Sequence, residues 1–255
     1  MKGSPFSLDG KVAVITGGSR GIGFAIAQAY AEAGARIVLA GRKAGPLDEA
    51  ADRLRAGGVE ALAVPTHCGR PEEIESLIEV TTESFGGIDI LVNNAATSPH
   101  FGPTLEATDE LWRKTLEVNL LGYFHAARLV AALMGERGSG KILNVSSVAA
   151  TEPMPGLGVY GVSKAAVSAM TRTLALELAG RNIQVNALAP GLIRTSFSRV
   201  LWEDEKNARY AMAKIPAGRF GEVEDLTGAA LFLASPASDY TTGIVLAVDG
   251  GYSVA

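Results

Sequence analysis

Three side chains in one stretch of the chain, Ser147, Tyr160 and Lys164, carry groups suited to proton transfer at a carbonyl oxygen. Tyr160 and Lys164 are four residues apart, so on a helix they share one face. A free phenol titrates near pH ~10, and a nearby cation stabilises the phenolate and lowers its pKa. Tyr160 would then exchange a proton with a substrate oxygen near neutral pH, while the Ser147 hydroxyl holds that oxygen.

The elements around these residues favour their meeting. An apolar strand, Ile142 to Val145, precedes Ser147, and a loop rich in proline and glycine leads to a helix from about Tyr160. None of these groups supplies a hydride, so a redox reaction here requires a cofactor. The alternative to a catalytic role is an exposed helical turn from which Lys164 extends into solvent.

The N-terminal segment has the pattern of a dinucleotide-binding unit. A strand at Lys11 to Thr16 is followed by a glycine-rich turn, an Ala-rich helix at Phe24 to Ala33, and a second strand at Arg36 to Ala40. Glycines let a pyrophosphate approach the backbone N–H groups at the helix N-terminus. The alternative is a tight turn without a ligand. The residues predicted to bind the cofactor here are Gly17, Ser19, Arg20, Gly21, Ile22 and Gly23.

The end of the second strand indicates which cofactor is bound. An acidic residue there favours NAD, whereas an arginine accommodates the 2′-phosphate of NADP. This strand is followed by Gly41, Arg42 and Lys43 with no acid, and Arg20 adds a second cation on the same side. We therefore expect NADP(H), with Arg42 at the phosphate. The alternative is that Arg42 and Lys43 only begin a solvated helix.

Strand and helix patterns alternate along the rest of the chain, which predicts a single α/β domain over residues 1–255 with a doubly wound parallel sheet of the Rossmann type. Thr16, Asn93, Ser147 and Pro190 lie at the carboxyl ends of predicted strands, where such sheets bind ligands. The remaining predicted elements are strands at Val59 to Pro65, Ile88 to Val92, Ile183 to Leu188 and Gly243 to Val248, and helices at Pro71 to Phe85, Thr108 to Met134 and Glu222 to Leu233.

Two features do not follow from this alternation. Asn119 lies inside the long helix, where asparagine is a poor helix former. It would either kink the helix and hold a buried water, or be satisfied by a neighbouring backbone group. The segment from about residue 191 to 220 is a long insert with Phe197, Leu201, Trp202, Tyr210 and Met212. It would form a lid over a substrate, or pack on the core or another subunit.

Composition limits the classes of partner. The net charge of −4 argues against nucleic acid, and no apolar run reaches the ~18 residues of a membrane span. The three histidines have no metal-ligand spacing and Cys68 is the lone cysteine, so we expect no metal. The sequence shows neither a signal-peptide core near its start nor a peroxisomal Ser-Lys-Leu ending, and a cytoplasmic protein is expected.

Taken together, these residues resemble the short-chain dehydrogenase/reductase family over nearly the whole chain. The resemblance implies a catalytic tetrad of Asn119, Ser147, Tyr160 and Lys164. By that likeness Tyr160 is the acid/base, Lys164 lowers its pKa and holds the nicotinamide ribose, Ser147 orients the carbonyl, and Asn119 supports a relay water. It also implies a seven-stranded sheet and a homotetramer. The further cofactor contacts that it implies are Asn93, Ala95, Pro190, Gly191, Ile193 and Thr195.

Within the family, the stretches Asn93 to Gly102 and Pro190 to Trp202 are similar to the NADPH-dependent carbonyl and retinal reductases. His67-Cys68 stands where many members have an Asp-hydrophobic pair against the adenine, which departs from the family pattern. We expect NADPH-dependent reduction of a small hydrophobic ketone or aldehyde. A 3-oxoacyl-[acyl-carrier-protein] reductase and an NAD(H)-linked secondary alcohol dehydrogenase are alternatives within the same chemistry, and a non-catalytic NADP(H)-binding sensor is one outside it.

Overall fold

A parallel β-sheet of seven strands forms the centre of the protein in the computed structural model, which describes residues 3–203 and 205–255. The strand order is β3-β2-β1-β4-β5-β6-β7, and every neighbouring pair is parallel. The sheet runs outward in both directions from the junction of β1 and β4, as in the predicted doubly wound fold. The strands are β1 Val12–Thr16, β2 Arg36–Gly41, β3 Ala61–Pro65, β4 Ile90–Asn93, β5 Gly140–Val145, β6 Ile183–Pro190 and β7 Val245–Val248.

Helices cover both faces of the sheet because its central strands are apolar on both sides and must be buried twice. On one face, Ile26 and Tyr30 of the first helix and Leu233 of the last belong to one core cluster. On the other face, Leu77 and Val130 belong to a second cluster. The helices are α1 Gly21–Glu32, α2 Ala44–Ala56, α3 Pro71–Phe85, α4 Asp109–Leu116, α5 Gly122–Arg137, α6 Gly158–Leu178, α7 Glu205–Met212 and α8 Thr227–Ala234.

The boundaries expected from the sequence differ from the structure mainly at turns. Helix α1 begins at Gly21 rather than Phe24, because the glycine turn leads directly into the first helical turn. Strand β3 begins at Ala61 rather than Val59, since the Val59 N–H closes the turn after α2 by donating to Leu54 O at 3.2 Å. The helix expected at Glu222 to Leu233 divides into a 3₁₀ turn and α8, which ends at Ala234.

The long helix predicted from about Thr108 to Met134 is interrupted by a π-helical segment, Glu117–Leu121, between α4 and α5. Asn119 lies in its middle. By length and composition the span Asp109–Arg137 could cross a membrane, with 44% of its most apolar window buried. Its α5 part packs Ala127, Val130 and Met134 against the sheet, which is the arrangement of a core helix.

The insert after β6 packs partly on the body of the protein. Leu192, Ala211, Ile215 and Phe220 form a third apolar cluster with Tyr252 near the C-terminus. Leu201 and Trp202 pack against this cluster, while Phe197 and Met212 remain exposed. The packing of Leu201 and Trp202 agrees with the alternative that the insert packs on the core, and a lid over a substrate remains a prediction. The side chain of Tyr210 lies outside those that the structure describes.

Candidate active site

The carboxyl ends of β1 and β4 are joined by hydrogen bonds that shape the floor of a crevice. The backbone N–H groups of Asn94 and Ala95 donate to Thr16 Oγ1 at 2.9 and 3.1 Å. The Asn94 side-chain amide donates to the carbonyls of Thr16 and Gly17 at 2.9 and 3.2 Å. These contacts place Ala95 and its loop directly beside the glycine turn. Asn94 and Thr16 thus hold the glycine turn and the loop after β4 together, a role that the sequence pattern did not predict.

The glycine turn leaves no room for side chains where the backbone crosses itself. A Cβ on Gly23 would lie 2.5 Å from both Gly17 O and Asn94 Nδ2, and one on Gly17 would lie 2.7 Å from Asn94 Nδ2. Arg20 precedes α1 without a side-chain cap, so the N–H groups of the first turn are not satisfied by its side chain. A glycine cradle at an uncapped helix N-terminus fits a pyrophosphate. Ser19 and Ile22 lie in this same turn.

The site expected to hold a 2′-phosphate carries exposed cations. Arg42 and Lys43 directly follow β2, and Arg20 lies in the glycine turn after the neighbouring strand β1. In residues 3–203 and 205–255 none of these three side chains forms an ion pair. Their charge is therefore not neutralised by a protein carboxylate, which suits a phosphate ligand.

Asn93 takes a structural position. Its side chain is buried and donates to Tyr123 O at 3.3 Å and to Asn144 Oδ1 at 3.0 Å. The amide therefore ties β4 to α5 and β5. A contact of Asn93 with the predicted cofactor would have to come from its backbone, which leads into the Asn94-Ala95 loop.

The loop after β6 closes the crevice opposite the glycine turn. A Cβ on Gly21 would meet Thr195 Cγ2 at 3.6 Å, which places Thr195 across from the start of α1. Pro190 ends β6, and Gly191 packs so closely on Asp249 that an added Cβ would lie 2.6 Å from its Cα. Ile193 pairs with Gly221 in an isolated parallel bridge. Four residues that were predicted to contact the cofactor thus lie together on one side of the crevice: Pro190, Gly191, Ile193 and Thr195.

Ser147, Tyr160 and Lys164 meet as the sequence predicts. Ser147 follows β5, and its Oγ accepts from the Ala149 N–H at 3.1 Å. Tyr160 lies in the first turn of α6, and the Ser147 hydroxyl is close enough to the phenol to lower its pKa. Lys164 lies one turn further on, with Nζ 5.7 Å from the centroid of the Tyr160 ring. Lys164 is 1% exposed, which rules out a side chain extending into solvent.

Burial dominates the protonation of both groups. It raises the pKa of Tyr160 to about 12, and the nearby Ser147 hydroxyl only partly opposes that rise. It also lowers the pKa of Lys164 to about 7, because a charge is costly in an apolar surrounding. The family resemblance implied that Lys164 lowers the phenol pKa. In this structure desolvation is the largest influence on the pKa of Tyr160, and the lowering of that pKa by Lys164 remains a prediction.

Asn119 fastens the loop after β4. Its Oδ1 accepts from the Thr97 N–H at 2.8 Å, and its Nδ2 donates to Thr97 O at 3.0 Å and to Ser163 Oγ at 3.0 Å. Ser163 in turn donates to Tyr160 O at 2.7 Å. The side chain is thus satisfied by a neighbouring backbone group, as the second alternative expected, and the helix is π-helical at this point. The buried water remains a prediction.

Two aromatic residues join the site from elements distant in the sequence. Phe197, in the insert, packs against Tyr160 with ring centroids 5.7 Å apart at an angle of 49°. Tyr123, in α5, accepts a hydrogen bond from Lys164 Nζ at 3.1 Å. The sequence placed Phe197 in an insert that would form a lid or pack on the core or another subunit, and it gave no role to Tyr123. Tyr123 lies one helical turn after Asn119, so the sequence indicates that the two residues share a helix face. It does not indicate that Lys164 of α6 lies opposite that face.

The chain has close similarity to known proteins over nearly its full length. A family model described as enoyl-(acyl carrier protein) reductase matches residues 17–253. Human dehydrogenase/reductase SDR family member 4 is 43% identical over 244 residues, which cover 96% of this chain and 88% of the human protein.

Solved structures show the same similarity over nearly the full chain. A gluconate 5-dehydrogenase from Burkholderia cenocepacia, in complex with NADP and tartrate, is 39% identical with a TM-score of 0.95, covering 98% of both chains. A putative NAD(P)-dependent gluconate 5-dehydrogenase from Beutenbergia cavernae with bound NADP is 40% identical with a TM-score of 0.94, covering 99% of this chain and 100% of that one.

These similarities coincide with the site geometry. The glycine cradle, the unpaired cations after β2 and the NADP bound by the similar structures identify the cofactor as NADP(H). The predicted seven-stranded Rossmann fold is confirmed, and so is the predicted class of enzyme, an NAD(P)-dependent oxidoreductase acting on CH–OH groups. The chain belongs to the short-chain dehydrogenase/reductase family.

Proposed function

We propose that the protein uses NADPH to reduce a small hydrophobic ketone or aldehyde to its alcohol, with Tyr160 donating the proton. The observation that carries this proposal is the meeting of Tyr160, Lys164 and Ser147, with Lys164 Nζ 5.7 Å from the centroid of the Tyr160 ring and Ser147 at the end of β5. At neutral pH this phenol holds its proton, which is the form that reduction requires. Oxidation of an alcohol would instead require the phenolate.

The nicotinamide, when bound, supplies the hydride to the carbonyl carbon. The Ser147 hydroxyl then holds the substrate oxygen beside Tyr160. As negative charge develops on that oxygen, the Tyr160 O–H bond breaks and the proton moves to it, giving the alcohol and a phenolate. The ammonium form of Lys164, whose Nζ lies 5.7 Å from the Tyr160 ring centroid, stabilises the phenolate in a site of low dielectric.

The walls of the crevice near Tyr160 support an apolar substrate. Phe197 packs on the Tyr160 ring and is half exposed. Phe101 is also half exposed, and its ring lies beside Gly156, whose carbonyl accepts from the Gly102 N–H at 3.2 Å. Phe197 therefore gives the surface beside the Tyr160 phenol an apolar character, and Phe101 adds an exposed ring beside the loop that leads into α6. A polar sugar acid, the substrate in the name of the Burkholderia protein, would leave these rings uncovered.

The sharpest test compares Tyr160→Phe with Tyr240→Phe. Tyr240 is fully exposed, so its variant controls for the loss of a phenol hydroxyl. We expect Tyr160→Phe to lower kcat for reduction by about 10²–10⁴-fold, as general acid catalysis requires. NADPH affinity, measured by fluorescence, should change by less than about threefold. Turnover retained in Tyr160→Phe would refute the proton-donor role.

A substrate panel separates the alternatives. Apolar ketones and aldehydes, a 3-oxoacyl thioester and 5-ketogluconate are offered with NADPH, and gluconate and a secondary alcohol with NADP⁺ and NAD⁺. The proposal requires kcat/KM for an apolar carbonyl compound to exceed that of the sugar acid and the thioester. A preference for the thioester would favour the acyl-reductase alternative.

We also propose a homotetramer. Leu121, Phe124, Val162 and Leu176 expose apolar side chains on or next to α5 and α6. Water-exposed leucines and aromatics on adjoining helices favour association with another copy. Light scattering of the protein and of Leu176→Glu tests this: we expect the mass of about four chains for the protein and a smaller mass for the variant. A monomeric wild type would contradict the proposal.

A further inference from the structure

The hydroxyl of Tyr123 is the feature that the reaction described above leaves unused. Tyr123 is 1% exposed and lies in α5. Its Oη accepts from Lys164 Nζ at 3.1 Å and donates to Val145 O at 3.4 Å. Burying a phenol hydroxyl is costly unless it is hydrogen-bonded, so this one is committed to Lys164 and to the end of β5.

Lys164 is held in a closed triangle. Its Nζ also donates to Val145 O at 2.7 Å, so Nζ, Tyr123 Oη and Val145 O contact one another in a ring. The ammonium lies 4.8 Å from the centroid of the Tyr123 ring and 5.7 Å from that of Tyr160. Two of its three N–H bonds are thus occupied, which leaves one for the crevice.

This surrounding provides little to keep the ammonium charged. In the described part of the chain, Lys164 forms no ion pair with a carboxylate. The titratable groups facing it are the phenols of Tyr123 and Tyr160, and the buried Cys68 thiol lies close enough to affect Tyr123. Apart from one backbone carbonyl, the Tyr123 hydroxyl is therefore the oxygen that stabilises the charged form.

We propose that Tyr123 is a positioning residue whose hydroxyl holds the protonated Lys164 in place under Tyr160. It acts through Lys164 and does not touch the substrate. The proposal rests on the role of Lys164 in the proposed function, but it makes a separate statement about how that lysine is kept charged at neutral pH. A hydrogen bond to the charged form of a group raises its pKa, so losing this one lowers the pKa of Lys164.

Tyr123→Phe removes the hydroxyl and keeps the ring, and with it the cation–π contact. A hydrogen bond to a charged group contributes enough to move a titration by about one pH unit or more. We measure the NADPH dissociation constant by fluorescence from pH 5.5 to 9.5 without substrate. In the wild type, affinity should decline above about pH 7, where Lys164 loses its proton. In Tyr123→Phe this decline should begin about one pH unit lower.

The matched control is Tyr30→Phe. Tyr30 is fully buried in α1 and donates to Ala230 O at 2.9 Å, far from Lys164 in the sheet's other layer. This variant also loses a buried hydroxyl, and it should lower thermal stability without moving the pH at which NADPH binding declines. If the two variants shift that pH equally, or if neither does, the positioning role of Tyr123 is overturned.

The design separates this proposal from the proposed reaction. A protein that binds NADPH with the expected pH shift but reduces no carbonyl compound would contradict the reaction and leave Tyr123 in its role. A protein that reduces carbonyl compounds through Tyr160, with an unshifted profile in Tyr123→Phe, would contradict only the positioning role. As a second readout, kcat/KM for NADPH should show the same displacement of its alkaline limb, because it reports the free enzyme.

Discussion

Adding one methyl group to the glycine turn should weaken cofactor binding, and Gly23→Ala is the substitution that tests this. The new Cβ would lie 2.5 Å from Gly17 O and from Asn94 Nδ2. Ordinary contacts of this kind are about 3.5 Å or more, so the backbone of the turn and the Asn94 amide must separate by about 1 Å. That movement breaks the bonds from Asn94 to Thr16 O and Gly17 O.

The magnitude follows from these losses. Two hydrogen bonds contribute about 1 kcal/mol each, and overpacking adds about 1 kcal/mol or more, giving a destabilisation of about 3 kcal/mol. At about 3 °C per kcal/mol for a chain of this size, Tm should fall by about 9 °C. Because the displaced turn carries the N–H groups for the pyrophosphate, the NADPH dissociation constant should rise at least about tenfold, a difference of about 1.4 kcal/mol.

Gly45→Ala is the control. Gly45 lies in α2 with nothing within 4 Å of an added Cβ, so the same substitution should leave NADPH affinity unchanged and raise stability slightly. Calorimetry gives the dissociation constants and differential scanning calorimetry gives Tm. If Gly23→Ala bound NADPH as tightly as Gly45→Ala, the assignment of this turn to the pyrophosphate would be refuted.

Three further predictions concern single side chains. Arg42→Ala should weaken NADPH binding by about tenfold and leave NADH binding unchanged, because one charge-assisted bond to the 2′-phosphate is lost; calorimetry with both cofactors decides it. For stability, the lowered pKa of Lys164 means that the unfolded chain binds the extra proton between about pH 7 and the usual lysine range, so the free energy of unfolding should rise with pH across that window. Lys164→Met should flatten this rise in urea titrations, and an unchanged slope would count against a neutralised lysine. Phe197→Ala should raise KM for an apolar carbonyl compound several-fold with NADPH affinity unchanged, and equal KM values would remove Phe197 from the substrate site.

Much of the fold could be predicted because its signals are local. Helix α3 was expected at Pro71 to Phe85 and lies there, since Pro71 and a left-handed Gly86 mark its two ends. The meeting of Ser147, Tyr160 and Lys164 was predictable because a strand, a loop and one helical turn connect them directly.

The contacts that were missed join residues far apart in the sequence. Asn119 and Thr97 are 22 residues apart, and Tyr123 and Lys164 are 41 residues apart. Helical spacing shows which face a side chain shares with its own neighbours, but not which group lies opposite. The raised pKa of Tyr160 escaped prediction for the same reason, because the extent of burial depends on the whole assembled core.

The π-helical segment Glu117–Leu121 holds one residue more than an α-helical stretch of about the same rotation. An α-helix turns by about 100° per residue, so four α-helical residues turn about as far as this segment does. Deleting Leu120 or Leu121 would therefore let the segment relax to α geometry while the Ala127–Val130 face of α5 stays on the sheet. The change would fall on the backbone that presents Asn119 to Thr97 and Ser163. The additional residue thus shapes the site without altering the helix that packs on the core.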